Sequence, residues 1–289
     1  MRADRLLPLI ACLAPLCACS LPRAPQHRPE AVGAEPPRAA PRAAQPPPEL
    51  EWVRWTPLST PMPTPPPVVD IVSPVADGEV ALEAAPTTPV VLTARDWTLE
   101  GGRGLQVGLD DFRPRVVQAD GQQLTLRDLV PADRPIPPGE HVLWAVAVLP
   151  GGEAVKAPAS TTSGPGPAVL RRFWVGPKGA PRIDLAAPRV FYSQPRGTYN
   201  GEAAADAVLL DVYLFNVDAN APLSLVATVE DRFGRQSRRA LGAWQAYGLG
   251  SAPSGDYDVT VELDTGSDGK VQRVTRTITV NREVEVKSR

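Results

Sequence analysis

The sequence predicts an all-β protein in which two antiparallel β-sandwiches follow a disordered, proline-rich spacer. Three observations lead to this prediction: short β-branched runs are separated by Gly, Pro and Asp, no stretch has a helical period, and one motif occurs twice. Short strands at regular spacing with turn signals between them are typical of a sandwich or a barrel. The candidate strands are 68–72, 89–94, 105–109, 114–118, 140–149, 170–175, 207–217, 223–230, 256–263 and 271–280.

The first element of the chain is a predicted secretory signal. The basic start "MRADR" precedes the apolar run "LLPLIACLAPLCA", residues 6–18. This run is shorter than the ~20 apolar residues of a membrane span and is typical of a signal sequence. Leu16-Cys17-Ala18-Cys19 resembles a bacterial lipobox, in which a leucine and a small residue precede the cysteine that receives lipid. We therefore expect a lipoprotein signal peptide at 1–18 and a lipid anchor on Cys19.

The other two cysteines are weaker anchor candidates. Cys12 leaves only about six apolar residues upstream, fewer than the roughly 7 to 15 of a signal core, and Cys17 follows the bulky Leu16. The alternative is an ordinary secretory signal cleaved near Ala18. Either way the folded part contains no cysteine, so its hydrophobic core must stabilise it. Ser20 is not the aspartate that retains enteric lipoproteins at the inner membrane, which favours the outer membrane.

Residues 19–67 form the predicted spacer. Of the 48 residues from Ser20 to Pro67, 15 are proline, and such a composition gives an extended, semi-stiff chain that cannot bury a core. The segment "LEWVRW", residues 50–55, interrupts it with Trp52 and Trp55. This segment either folds back onto the domain surface or is a short motif that docks a partner.

The repeated motif divides the rest of the chain into two domains. "PPGEHVLWAVAVLPGGEAV", residues 137–155, aligns with "PSGDYDVTVELDTGSDGKV", residues 253–271. Each has Pro-x-Gly-acid-aromatic, an apolar strand and a Gly-rich turn, a pattern with which immunoglobulin-like folds often begin their penultimate strand. The prediction is therefore two tandem immunoglobulin-like antiparallel β-sandwiches at 68–177 and 178–283, with a tail at 284–289.

Several stretches resemble a known family. "VFYSQPRGTYNGEAAADAVLLDVYLFNV", residues 190–217, and the later "VTRTITVN" are similar to the second domain of an uncharacterised family of bacterial secreted or lipid-anchored proteins. "LQVGLDD" (105–111), "LTLRDLVP" (124–131) and "PPGEHVLWAV" (137–146) resemble its first domain. The resemblance implies the fold but no established activity. Members often carry histidines on the strand that corresponds to "LQVGLDD", where this chain has Gln106.

The motif "LDTGS", residues 263–267, has the local pattern of an aspartic protease, in which two carboxylates share a proton and activate water. The chain has no second Asp-Thr-Gly, and the aligned stretch of the first domain, "LPGGE", is a plain hairpin turn. The same residues half-match a calcium loop, but the twelfth position, which should be acidic, is Thr275. We therefore expect Asp264 to be structural and the turn to hold no metal.

Histidine is scarce, with His27 in the spacer and His141 at a strand corner. With one histidine and no cysteine in the folded part, a His/Cys zinc site lacks ligands, and a Ser-His-Asp triad would have to use His141. The residue aligned with it is Tyr257, which indicates a packing and hydrogen-bonding role. A net charge of −2 without a basic face argues against nucleic acid. The sequence thus predicts no enzyme, no metal, no cofactor and no nucleic-acid partner.

A cluster of arginines in "DRFGRQSRR" is the first candidate interaction surface. It is either a solvated turn or a contact with anionic lipid head groups or acidic glycans. Its members are Arg232, Arg235, Arg238 and Arg239.

The second candidate surface is on strand 140–149, which is apolar on both faces, whereas a half-exposed antiparallel strand should alternate. In the aligned strand, residues 256–263, core side chains alternate with polar ones that point outward. If strand 140–149 alternates in the same way, one row of apolar side chains, the Trp144 stripe, points out of the first core: Val142, Trp144, Val146 and Val148. Either "LEWVRW", the loop 150–169, the second domain or a partner must cover this stripe, because an uncovered one would be a binding site. We expect cover within the chain.

The favoured function is a lipid-anchored protein of the cell envelope whose sandwiches act as a non-enzymatic binding or scaffolding module. Its partners would be the membrane, reached through the N-terminal anchor, and an envelope protein or a glycan. The alternative is a glycan-active or hydrolytic envelope enzyme, for which the sequence shows no catalytic set.

Overall fold

The computed structural model describes residues 52–59, 62–156, 166–217, 224–264 and 271–283. The predicted signal, Cys19, the spacer up to residue 51 and the tail at 284–289 lie outside the described residues. The chain divides into two units, Met1–Glu49 and Leu50–Arg289, and every described residue belongs to the second. No described helix is long and apolar enough to cross a membrane.

The described part of the chain is almost entirely β-structure, which confirms the predicted fold class. Each of the candidate strands is a strand in the structure. One short α-helix, α1 (Glu202–Asp206), and two 3₁₀ turns, Ala85–Thr87 and Leu126–Leu129, accompany the strands. The strands are β1 (Arg54–Leu58), β2 (Val68–Ser73), β3 (Glu79–Val80), β4 (Pro89–Arg95), β5 (Gly104–Leu109), β6 (Arg115–Val117), β7 (Leu124–Thr125), β8 (Gly139–Val148), β9 (Ala168–Val175), β10 (Arg189–Gln194), β11 (Gly197–Asn200), β12 (Leu209–Phe215), β13 (Ser224–Asp231), β14 (Gln236–Leu241), β15 (Ala246–Gly250), β16 (Gly255–Asp264) and β17 (Val271–Asn281).

The first sandwich consists of a three-stranded sheet, in the order β2-β4-β7, and a five-stranded sheet, in the order β3-β9-β8-β5-β6. All pairs are antiparallel except the edge pair of β3 and β9. The core between the two sheets includes Val107 and Leu109 of β5, Leu143 of β8 and Phe173 of β9, all fully buried.

The second sandwich repeats this strand order. Its five-stranded sheet runs β11-β17-β16-β13-β14, again with one parallel pair, β11 and β17, at the edge. Its other sheet runs β10-β12-β15, as β2-β4-β7 does in the first sandwich, and β1 adds a fourth strand beside β15. The shared topology is that of immunoglobulin-like β-sandwiches, as predicted.

Side-chain alternation explains why β16 takes its place in the second sandwich. Tyr257, Val259 and Val261 are buried in the core, while Asp258 and Asp256 on the opposite face are exposed. A strand with one apolar and one polar face packs on one side and meets water on the other. The outer face of this sheet is accordingly polar.

Seven strands of the described part of the chain are not predicted by the sequence: β1, β3, β7, β10, β11, β14 and β15. Six of them lie at the edge of a sheet and pair on one side only. The seventh, β15, has the sequence "AYGLG", and glycine is generally depleted in strands. The two-residue strands β3 and β7 and the glycine-rich β15 therefore carry little local signal.

β1 is the main departure from the predicted organisation, because residues 54–58 lie within the predicted spacer at 19–67. They form a strand that pairs antiparallel with β15, from Arg54 opposite Gly250 to Leu58 opposite Ala246. The chain therefore contributes one strand to the second sandwich, then builds the first sandwich, and then returns to complete the second.

The two sandwiches are stacked face to face. The outer surface of the five-stranded sheet of the first sandwich packs against the outer surface of β10 and β12 in the second. β8 is therefore buried on both faces, which accounts for its continuous apolar sequence.

Candidate functional site: the interface and groove between the sandwiches

The Trp144 stripe lies in the interface between the two sandwiches. Val142, Trp144, Val146 and Val148 are at most 3% exposed and pack with aromatic residues of the second sandwich: Phe191, Tyr213 and Phe215. The ring centroids of Trp144 and Phe191 are 5.2 Å apart. The second domain thus covers this stripe. The interpretation of Trp144, Val142 and Val146 as a surface for a separate partner is corrected, because these side chains are buried within the chain.

A glycine makes room for the indole. Gly108 of β5 lies directly opposite Trp144 in the sheet, and a Cβ atom at this position would lie 2.5 Å from the indole ring. Real side chains do not approach so closely, so the ring can lie flat over β5 only because residue 108 has no side chain. The indole nitrogen donates a hydrogen bond of 3.2 Å to the carbonyl oxygen of Asp110.

Gln106 is a polar contact within this interface. It is fully buried, and its amide nitrogen donates to the backbone carbonyl of Ser193 at 3.1 Å. The Ser193 hydroxyl donates in return to the Gln106 carbonyl oxygen at 2.6 Å. The position at which the resembled family often carries histidine thus holds an amide whose hydrogen bonds are supplied by the second sandwich, as burial of a polar group requires.

A buried ion pair, which the sequence does not predict, also joins the sandwiches. The ammonium group of Lys156, after β8, contacts the carboxylate of Asp211 in β12, with side-chain exposures of 8% and 0%. The second carboxylate oxygen of Asp211 accepts a hydrogen bond of 2.8 Å from the backbone N–H of Ala154. Because an unpaired buried charge is costly, this pair holds the loop after β8 against the second sandwich.

His141 is buried at a strand corner, where both of its ring nitrogens have partners. Its Nε2 donates to the carbonyl oxygen of Pro137 at 2.8 Å, and its Nδ1 contacts the carboxylate of Asp110 at 2.7 Å. Burial lowers the pKa of His141, but the hydrogen bond and negative charge of Asp110, together with the Pro137 carbonyl, outweigh burial and raise it above its usual value. Both ring nitrogens have partners, so neither is open to a substrate or a metal in this arrangement.

The remaining candidate chemistry gives no assembled site within the described residues. Asp264 is the exposed last residue of β16 and lies opposite Val271, the first residue of β17. Residues 265–270, which hold the rest of "LDTGS", lie outside the described residues. Among the residues that the structure describes, no three His, Cys, Asp or Glu side chains are grouped as metal ligands.

Trp52 and Trp55 belong to the second sandwich, which corrects their interpretation as a free docking motif. Trp55, in β1, is 5% exposed within the core, and its indole nitrogen donates to the hydroxyl of Ser237 at 2.9 Å. Trp52 stacks on Tyr257 with a centroid distance of 5.4 Å. The segment therefore folds back onto the domain, the first of the two alternatives.

The arginine cluster lies on β14 and the turn before it. Arg235 pairs with Asp231 at 3.0 Å, and its guanidinium lies 4.6 Å from the ring centroid of Trp52. Arg238 faces Glu262 at 3.4 Å. The remaining two are Arg232, exposed at the turn, and Arg239, half-buried on β14. Two of the four thus have acidic partners, and the cluster is a mixed-charge surface.

A groove of about 490 Å³ lies between the two sandwiches. Its floor is the outer face of β1 and β15, where glycines 248 and 250 carry no side chain, and one wall is the loop after β8. Sites for small ligands and peptides commonly have this size and combine apolar with a few polar groups. The lining residues are Arg54, Thr56, Leu58, Gly151, Glu153, Asp206, Ala207, Val208, Leu209, Gly248 and Gly250.

A second concavity, of about 630 Å³, lies within the first sandwich. Prolines and apolar side chains line most of it, with Arg127 as its charged residue, and Leu82 at its rim is half exposed. The groove between the sandwiches differs from it because both domains and β1 contribute to its walls.

Three solved structures are similar to the chain in fold. The fibronectin(III)-like modules of Clostridium thermocellum CbhA share 17% identity over 76% of this chain and 98% of theirs, with a TM-score of 0.26. A two-domain fibronectin type III segment of chicken tenascin shares 10% identity over 74% of this chain and 99% of its own, with a TM-score of 0.21. Drosophila N-cadherin EC1-3 shares 18% identity over 75% and 68%, with a TM-score of 0.24.

This likeness concerns the β-sandwich fold alone. No protein-family model matches the chain, and no curated protein matches it. The resemblance to an uncharacterised bacterial family therefore stays a prediction.

Proposed function

We propose that this chain is a lipid-anchored protein of the bacterial cell envelope whose two stacked sandwiches act as a non-enzymatic binding module. The observation that carries the proposal is the groove between the sandwiches. Its floor and walls come from β1, β15 and the loop after β8. The buried Trp144 stripe and the Lys156–Asp211 pair hold these elements in one arrangement.

The groove favours an extended peptide segment of an envelope protein as its ligand. Leu209 and Leu58 form an apolar part of the groove, and Gly248 leaves open space beside Thr56. The Arg54 guanidinium lies over Gly250 and Glu153 is on the loop after β8, so both signs of charge line the groove. An extended segment can place apolar side chains against the two leucines while its polar groups reach Arg54 and Glu153.

The N-terminal lipid anchor rests on the sequence around Cys19, and membership of the secreted or lipid-anchored bacterial family rests on the quoted motifs. The outer membrane is the proposed location, from the residue after the anchor. These parts of the proposal are independent of the groove, and the lipid anchor is tested separately below.

Filling the groove tests the binding role. A methyl group placed on Gly248 would meet only Thr56, at 3.8 Å, so Gly248→Phe would place a ring on the floor without displacing the backbone. Wild type, Gly248→Phe and the control Val271→Phe, an equally bulky exposed change on the other sheet, would be applied to arrays of peptides and glycans. We expect peptide binding by wild type and the control, and its loss in Gly248→Phe.

Two results would contradict the proposal. Equal binding by all three proteins would place the ligand site elsewhere. Conversion of any array component to a product would favour the alternative function, a hydrolytic or glycan-active enzyme.

A further inference from the structure

Two arginine side chains, one from each sandwich, reach past each other. Arg113 lies in the turn between β5 and β6, and Arg196 lies in the connection between β10 and β11. The Nη1 of Arg196 donates a hydrogen bond of 3.3 Å to the carbonyl oxygen of Pro114. In return, the guanidinium of Arg113 lies against Gly197, where a Cβ atom would be 3.0 Å from its Nη2. Each guanidinium therefore lies beside the residue that follows the other arginine.

These two positive charges lie close together without a counter-charge from the described residues, none of which forms an ion pair with Arg113 or Arg196. Arg196 is half-buried and Arg113 is exposed. Burial lowers the pKa of Arg196, and the positive charge of Arg113 lowers it further. Asp111 is near in sequence, but its negative charge acts on Arg276, where it opposes the lowering of the pKa by burial. Like charges held together repel each other, so the pair favours a bound anion.

Tyr199 of β11 adds a hydroxyl group to the same place. Its oxygen accepts a hydrogen bond of 3.0 Å from the backbone N–H of Arg196. Burial raises the pKa of Tyr199, although this hydrogen bond and the positive charges of Arg196 and Arg113 oppose the rise. The hydroxyl therefore stays protonated near neutral pH and has an O–H to donate. Two guanidinium groups and one hydroxyl thus lie together, and all three are hydrogen-bond donors to an anion.

We propose that Arg113, Arg196 and Tyr199 form a binding site for a phosphate group. Guanidinium groups bind phosphate oxygens through paired, charge-assisted hydrogen bonds. A phosphate monoester carries a charge of about −1.5 to −2 at neutral pH, which matches two guanidinium groups more closely than the single charge of a carboxylate does. None of the three residues lines the groove between the sandwiches. The inference is therefore independent of the ligand of the groove and of the lipid anchor.

Calorimetric titration and thermal melting of the full chain test the site. The probes are inorganic phosphate and glucose 6-phosphate, which separate a free phosphate ion from a phosphate carried by a larger molecule, with glucose as the uncharged control. Chloride keeps the ionic strength constant, so that general screening does not differ between samples. Arg113→Gln removes one exposed guanidinium from the site. The matched control, Arg103→Gln, removes an exposed arginine just before the opposite end of β5.

We expect wild type and Arg103→Gln to bind at least one phosphate probe and to melt at a higher temperature in its presence. Arg113→Gln should bind it about tenfold more weakly, as the loss of a charged hydrogen-bond donor implies. Binding of glucose 6-phosphate but not glucose would assign the site to a phosphate carried by a larger molecule, and binding of inorganic phosphate alone would assign it to the free ion. Absence of binding by wild type, or equal affinity in wild type and Arg113→Gln, would overturn the proposal.

Discussion

His141 and Tyr257 occupy the same corner of the two sandwiches, and each donates a hydrogen bond of 2.8 Å to the carbonyl oxygen of the proline four residues upstream. The tyrosine hydroxyl and the imidazole Nε2 thus have the same structural role, which in immunoglobulin-like domains commonly falls to tyrosine. The histidine has one more contact, from Nδ1 to Asp110. The first sandwich therefore carries a histidine, whose ordinary pKa is 6.5, where the second carries a tyrosine whose pKa is raised above 10.

The stability of the protein should consequently depend on pH through His141. Its pKa is raised above 6.5 in the folded protein. The contribution of His141 is thus fully present below the unfolded pKa and is lost as the pH rises through the folded pKa. Urea unfolding across neutral pH should show wild type losing stability on the alkaline side, and His141→Phe losing most of this slope.

Tyr257→Phe is the matched control for the corner. It removes the equivalent hydrogen bond, which costs about 1 kcal/mol, but it should leave the slope with pH unchanged. Identical slopes in wild type and His141→Phe would show that another group causes the pH dependence.

Trp144→Ala should destabilise the protein by roughly 3 to 5 kcal/mol, the usual cost of a large-to-small change in a core. The indole is 1% exposed and fills the interface against Phe191. Thermal melting of the lipid-free protein measures the effect, with Leu82→Ala, at an exposed site, expected to change stability by less than about 0.5 kcal/mol. Superimposable curves for wild type and Trp144→Ala would mean that the interface does not contribute to folding.

Gly108→Ala should cost about 1 to 3 kcal/mol, as overpacking does, because its methyl group would overlap the Trp144 indole. In the Trp144→Ala background the same change should cost much less, since the ring is absent. A double-mutant cycle by urea unfolding measures this coupling. Additive effects would indicate that Gly108 is required by the backbone and not by the ring.

Lys156→Met should destabilise the protein by about 3 to 5 kcal/mol, because it leaves the Asp211 carboxylate buried without its counter-charge. Lys156→Met/Asp211→Leu should recover part of the loss, since the uncompensated charge is then removed. Chemical unfolding of the three proteins provides the comparison. A double variant less stable than Lys156→Met would show that the Ala154 hydrogen bond to Asp211 matters more than the ion pair.

Cys19→Ser should abolish lipid attachment. Metabolic labelling with a fatty-acid analogue should mark wild type and the control Cys12→Ser, because in both the lipobox cysteine remains. Equal labelling of wild type and Cys19→Ser would exclude Cys19 as the anchor.

Strands that alternate or are uniformly apolar, such as β16 and β8, could be predicted from the amino-acid order, as could the repeat of one sandwich topology. These features are local, because burial of one or both faces of a strand imposes its side-chain pattern directly. The two-sided pattern of β8 also indicated that its outer stripe is covered. It could not indicate that Phe191, Tyr213 and Phe215 form the cover, since those residues are also compatible with an ordinary domain core.

The position of β1, the face-to-face stacking and the resulting groove could not be predicted from the sequence, because they depend on contacts between distant segments. A five-residue strand in a proline-rich region carries no local sign of a partner at Ala246–Gly250, almost two hundred residues later. The Lys156–Asp211 pair could not be predicted for the same reason, because lysine and aspartate side chains are usually exposed to solvent. Pairing between distant segments depends on shape and burial in the assembled fold, and these exist only once both sandwiches have formed.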